Sequence, residues 1–268
     1  MGLGFALLVG VAADGAEPAE GGVDASLFER SRLTGDWWGL RSDLENVGVS
    51  IGGGYVGEYS AVVAGGIRER GAYRNQLTID GEIDFETAFG VEGGTLFIQY
   101  LSVNGETGGT VDSGDAQIYS NIESDRHLDV IYEFWYEQAF ADERIRLKGG
   151  RIDANSEFNF VDAAGDFAHS SAGFSPTIFP FPSYPEPATG VMAFGRVVDD
   201  DGVRVTLGYA LYDGALQDGV RTGRQGPASF VSGDRSSDLF HIWQADLAWD
   251  ALVERGRFFK DGRVSLGA

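Results

Sequence analysis

From Val49 onward, apolar residues recur at every second position in segment after segment, and no stretch there approaches the ~20 apolar residues of a membrane-spanning helix. A period of two puts successive side chains on opposite faces of a strand, and no helix can use it. In Val49–Tyr59 the odd positions carry Val49, Ile51, Tyr55 and Tyr59, and the even ones include Ser50 and Glu58. Leu77, Ile79, Ile83 and Phe85 alternate with Gln76, Thr78, Asp80, Glu82 and Asp84. Thr95–Ser102 is mostly apolar on both faces. Leu128, Val130, Tyr132, Phe134 and Tyr136 alternate with Asp129, Ile131, Glu133, Trp135 and Glu137. After a turn at Ala141–Glu143, Ile145 and Leu147 alternate with Arg144, Arg146 and Lys148. Further strands are read at Gly190–Val198, Val203–Leu211 and His241–Trp249, and a ninth begins near Arg263.

The connections add a second constraint. Gly90–Gly94, Ala141–Glu143 and Asp199–Gly202 are short, whereas Ser60–Arg74, Val103–His127, Asp153–Thr189 and Asp213–Phe240 are long. Loops above ~12–15 residues are uncommon in compact domains. Outer-membrane barrels, by contrast, pair short periplasmic turns with long extracellular loops. The expected fold is therefore all-β, an antiparallel up-and-down transmembrane β-barrel entered by strands alone. The rival reading is a soluble all-β carbohydrate-binding protein with a sandwich or lectin fold.

Ahead of the strands, Leu3–Ala13 is an apolar run of the length of a secretory leader core, without the basic residues that precede one. Residues 1–16 are read as a partial signal peptide and 17–32 as an acidic linker. Residues 33–48 are read as a short amino-terminal helix, with Asp36 as its N-cap, Leu40 and Leu44 on one face and Gly48 at its end. Residues 49–268 then form the barrel portion.

Composition narrows the chemistry. The 268 residues hold no Cys and only three His, which are scattered, so no disulfide, thiolate metal site or cysteine nucleophile is available and no metal or cofactor is expected. A net charge of -21 without a basic stripe argues against nucleic acid as a partner. The 40 Gly lack a collagen period and fit strands that curve and let aromatic neighbours lie over them.

Several segments carry a resemblance to a known family. They are Leu33–Arg41 (LTGDWWGLR), Gly57–Tyr59, Gly93–Thr95 and Ser120–Glu123, then Tyr132–Gln138 (YEFWYEQ), Gly149–Phe158 (GGRIDANSEF) and Tyr184–Val191. Together and in this order they resemble the OprB-like carbohydrate-selective porins. The resemblance implies a sixteen-stranded porin with a short amino-terminal helix in the outer membrane of a Gram-negative bacterium. Small sugars and outer-membrane lipid would be its partners, and its assembly a homotrimer or a monomer. Trp38 stands where the family usually has a small residue. The eight strands read here, with the start of a ninth, amount to the amino-terminal half of such a barrel, so a truncated chain is expected.

Sugars are neutral and rich in hydroxyls, so a sugar pore needs charged or amide groups that donate and accept hydrogen bonds, with aromatic faces for the ring. On the polar parity Glu58, Asp80, Glu82, Asp84, Asp129, Glu133 and Glu137 would face the lumen opposite Arg144, Arg146 and Lys148, giving a transverse field. The substrate-binding candidates are Glu58, Asp80, Glu82, Glu133, Trp135, Glu137, Arg146, Lys148 and Arg151, with Trp135 as the stacking platform. Any aqueous barrel also has a polar lumen, so pairing among these charges for stability alone is the plain alternative. A general or cation-preferring porin is the nearest functional rival. The Pro-rich link Asp153–Thr189, with Phe158, Phe160, Phe174, Phe179 and Phe181, is expected to fold inward. Catalysis is not expected. Glu133 and Glu137 lie roughly 13 Å apart along one strand at ~3.3 Å per residue, beyond the reach of a glycosidase pair.

Overall fold

The computed structural model describes residues 32–114, 120–125, 127–160, 181–185, 187–200, 202–213, 239–249 and 262–268. The leader 1–16, most of the linker 17–32, Phe174, Phe179 and nearly all of the link 213–240 lie outside the described residues. Nine strands hydrogen-bond in chain order as one sheet: β1 (Val49–Ala61), β2 (Gly71–Asp84), β3 (Gly94–Gly105), β4 (Leu128–Phe140), β5 (Ile145–Ile152), β6 (Ala188–Asp200), β7 (Val203–Tyr212), β8 (Phe240–Trp249) and β9 (Gly262–Gly267). The pairs β1–β2 and β4–β5 through β8–β9 are antiparallel. Among the described residues no helix is long and apolar enough to cross a membrane, which leaves crossing by strands open.

The amino-terminal helix begins later than the sequence suggests. Trp37 and Trp38 have φ of 50° and 60°, left-handed values that a right-handed helix excludes, so α1 spans Leu40–Asn46 rather than starting after Asp36. Asp36 still serves it from outside, accepting hydrogen bonds from the backbone N–H and the hydroxyl of Ser42. Arg41 is buried with its guanidinium over the Trp37 ring, 4.2 Å from the centroid. A second helix, α2 (Phe85–Phe89), follows β2 directly. It is capped by the Asp84 carboxylate, which takes the Glu86 N–H, and is ended by Gly90 at φ 72°.

Two compact units divide the strands. The first holds the chain up to Ile83 and the segment Ile98–Ile131; the second holds Asp84–Phe97, Tyr132–Val161 and the strands from β6 onward. In the first, β1 and β2 pair without a break from Val49↔Ile83 to Ala61↔Gly71. Their odd row exposes Tyr55, Tyr59, Tyr73, Leu77 and Ile79, while their even row buries Glu58 and Arg74. The second unit repeats the inversion: Ile145, Leu147, Val191, Leu207, Trp243 and Leu247 are exposed, and Lys148 and Gln244 on the other row are buried. A sheet in water hides its apolar row. Here the pairs β1–β2 and β4–β5 show an apolar row and hide charge, the pattern of strands with lipid on one side.

The hidden face is not polar throughout. Across β6, β7 and β8 it carries Met192, Phe194, Ala210, Tyr212 and Ile242, and Phe158 from the segment after β5 is fully buried against them, its ring 5.2 Å from that of Phe194. Two glycines make room. A Cβ at Gly208 would come within 2.6 Å of the Phe194 ring, and one at Gly190 within 2.5 Å of the Tyr212 ring. The β4–β5 hairpin turns through Ala141, Asp142 and Glu143, all at positive φ, with the Arg144 N–H donating to the Ala141 carbonyl at 3.2 Å.

Candidate functional site

The second unit brings Trp135, Glu137, Arg146 and Lys148 together and adds a residue that parity alone did not point to. Cα register sets Glu137 opposite Lys148 and Arg146 opposite Phe194, so the polar row of β4 and β5 continues into apolar residues on β6. Asp153–Phe160 leaves β5 as a strap over this row. The Asp153 carboxylate caps its first turn by accepting the Asn155 N–H at 2.8 Å. The strap is fixed at both ends, since the Asp153 N–H donates to Glu133 at 2.9 Å and the Asn159 N–H to Gln244 at 2.8 Å.

Glu157 is thereby lowered onto the cations. Arg146 donates to its carboxylate at 2.8 Å, and the Lys148 ammonium contacts its other oxygen. Glu137 completes the group, 3.3 Å from Lys148 and 3.8 Å from Arg146. Two carboxylates thus face two cations. Burial alone would raise the Glu157 carboxyl, but the neighbouring Lys148 and Arg146 outweigh it and hold it below the usual range. Burial raises the Asp153 carboxyl above its usual range, despite the hydrogen bond it takes from the Tyr132 hydroxyl.

The Trp135 ring is occupied within the protein: Lys148 Nζ sits 4.0 Å from its centroid and Phe97 stacks on it at 5.0 Å. It supports the ammonium rather than offering an open platform. Glu133 is buried and spends one oxygen on the strap. Arg151 shares register with Phe134 and Thr189, the row of Leu147 rather than that of Arg146 and Lys148, so the unbroken β4–β5 pairing separates it from the charged group.

In the first unit Glu58 is buried in a network of its own. Arg74, directly opposite in register, donates to it at 2.5 Å and to Ser60 at 2.7 Å, and Ser120 donates to its other oxygen at 2.9 Å. Arg74 also lies 3.5 Å from Glu123, which accepts the N–H groups of Gly108 and Gly109 at 3.1 Å each. Asp80 accepts from Gln99 at 2.7 Å, and Glu82 is exposed opposite Ser50. Arg74 and Glu157 are charges of these two networks that the sequence reading missed. Arg74 fell within the stretch taken for a loop, although it shares the parity of Gln76, Thr78 and Asp80. Glu157 lay in a link with no period to place it. Among the described residues no group of three or more His, Asp or Glu side chains is placed to hold a metal ion.

Residues 68–196 match the model of a family described as carbohydrate-selective porin, OprB family. Among solved structures the chain is similar to the high-pH structure of Pseudomonas putida OprB, at 18% identity and a TM-score of 0.69, covering 88% of this chain and 55% of that one. The low-pH structure of the same protein matches at 15% identity with a TM-score of 0.46, over 88% of this chain and 59% of that one. The chain therefore spans a little over half the length of these structures. No curated protein matches. The shared fold is an antiparallel up-and-down order of strands.

Proposed function

We propose, from the resemblance to carbohydrate-selective porins, that this chain forms part of an outer-membrane channel through which small sugars diffuse passively. The single observation that carries this reading is the balanced group of Arg146, Lys148, Glu137 and Glu157 on the hidden face of the sheet. Paired charges of equal number attract no ion of either sign strongly, yet they offer donors and acceptors in a fixed array to a solute made of hydroxyls. Arg146, Lys148, Glu137 and Glu157 would exchange hydrogen bonds with successive hydroxyls, and Trp135 would hold the Lys148 ammonium in place. Glu133 and Glu58 would act as supports, through the strap and the Arg74 network respectively. The exposed apolar rows would meet lipid. No chemical step, cofactor or nucleophile is required, because the solute moves down its own gradient.

A general or cation-preferring porin is the second reading, favoured by the net charge of -21. Vesicle swelling separates the two. Purified protein in liposomes should admit glucose at least several-fold faster than an uncharged non-sugar solute of equal size. Equal rates would remove sugar selectivity and leave the general porin. Native mass in detergent distinguishes a monomer from a homotrimer.

A further inference from the structure

A cavity of about 400 Å³ opens in the first unit, where the links after β1 and β3 meet the approach to β4. Its volume lies within the ~300–1,000 Å³ of small-molecule sites. Arg70, Glu106, Ser124, Asp125 and His127 line it, and Val111 supplies its apolar contact. None of these residues belongs to the charged group around Lys148.

The floor of the cavity is fixed while its rim is loosely paired. Residue 106 is tied on both sides, its N–H donating to the Tyr73 carbonyl at 2.9 Å and its carbonyl accepting from Arg74 at 3.3 Å. Gly105, at φ 130°, lets the chain pass so near β2 that a Cβ there would stand 2.4 Å from Arg74 Cα. Arg74 is itself held by Glu58 and Glu123, so the backbone beneath the cavity rests on a buried ion network. On the rim, Arg70 donates to Glu106 at 2.8 Å, with both side chains about half exposed at 49% and 51%. Such pairs contribute only ~0–1 kcal/mol and open readily. A hydroxyl can enter between them, donating to the carboxylate and accepting from the guanidinium. On another part of the rim the His127 imidazole is oriented by Asp129 at 2.5 Å, and Asp129 in turn accepts from Tyr100 at 2.8 Å.

We propose that this cavity is a second saccharide subsite, which takes one neutral sugar ring through the opened Arg70–Glu106 pair and the oriented His127. It rests on the channel reading above. One guanidinium, two carboxylates, an imidazole and hydroxyls offer donors and acceptors side by side, which suits a polyhydroxylated solute better than an anion. With no Phe, Tyr or Trp among the described lining residues, the site would hold its solute weakly and release it quickly.

Equilibrium binding of glucose to the detergent-purified protein, followed by saturation-transfer NMR, tests this apart from permeation. Glu106→Ala and His127→Ala change half-exposed or exposed side chains, and each should weaken glucose binding at least five-fold, while Lys148→Met should leave a measurable fraction of it. Arg70→Lys, which keeps the charge but loses the forked donor, should give an intermediate loss. Binding that vanishes with Lys148→Met and is untouched by Glu106→Ala overturns the second subsite and leaves the channel reading intact. Displacement of glucose by an equal concentration of a simple diamine overturns it as well, by making the cavity a cation site. If vesicles show no sugar preference but Glu106-dependent binding persists, the sugar-selective reading fails and the subsite stands.

Discussion

Arg74 and Glu58 are Cα partners across β1 and β2, and their side chains form a 2.5 Å ion pair almost fully removed from solvent. Such a pair stabilises little in net terms against water, but removing one member leaves the other charged and stranded. Arg74→Met should cost about 3–5 kcal/mol, read as a lower unfolding midpoint in detergent. Adding Glu58→Gln to that variant should recover part of the loss, and a double variant no more stable than the single one would show that the pair is not the source.

Glu157 supplies half of the negative charge facing Arg146 and Lys148. Glu157→Gln keeps the shape and removes that charge, so the channel should move toward anions. The zero-current potential in a salt gradient should shift accordingly, with the anion-to-cation permeability ratio rising at least two-fold. An unchanged ratio would mean that ions do not pass this group.

Phe158 seats the strap in a fully buried position. Phe158→Ala should cost about 3–5 kcal/mol if the strap stays docked. If it undocks, protease should cut within 153–160 and single-channel conductance should rise. Gly208→Val reaches the same contact from below, since even a Cβ there meets Phe194 at 2.6 Å and Phe158 at 3.2 Å. Wild-type proteolysis and conductance in both variants would show that the strap is held elsewhere.

The two strap carboxyls titrate in opposite senses. Glu157 has a lowered pKa in the folded protein, so its contribution is present above the ordinary Glu value of about 4.3 and is lost as pH falls through the lowered one. Asp153 has a raised pKa, so its contribution is full below about 3.9 and declines as pH rises through the raised one. Strap protection, followed by protease resistance against pH, should therefore fall on both limbs. Asp153→Asn should flatten the alkaline limb alone and Glu157→Gln the acid limb alone. Loss of both limbs in either variant would disprove the assignment.

The period-two pattern made the nine strands, their order and their apolar row legible, because a strand's face assignment depends only on parity. Three features resisted for physical reasons. The first turn of α1 was displaced by positive φ at two tryptophans, a conformation no propensity scale anticipates. The residues Gly71–Arg74 of β2 read as loop because their alternation is carried by Ala72 and Arg74 against Gly71 and Tyr73, and an arginine on the hidden row reads as surface. The apolar patch of β6–β8 was ambiguous because Met192, Phe194 and Tyr212 lie on one face while Val191 and Leu211 lie on the other. For α2 the signal was present, in Asp84 and Gly90 flanking five residues, but it was too short for a 3.6-residue period to show. At the site, Glu137, Arg146 and Lys148 followed from parity. Glu157 could only be placed by folding the strap.

Gly190 and Gly208 lie beneath Tyr212 and Phe194, and the absence of a methyl group at each lets the rings lie flat on the neighbouring strand. The height of the strap above the sheet is set by the thickness of those rings, and with it the clearance left over Lys148 and Glu137. The seat of the strap is thus set from underneath, by the smallest residues of the sheet, and one added carbon at either glycine would lift the rings, at Gly208 together with the Arg146 guanidinium that lies 4.8 Å over Phe194, without altering any charge.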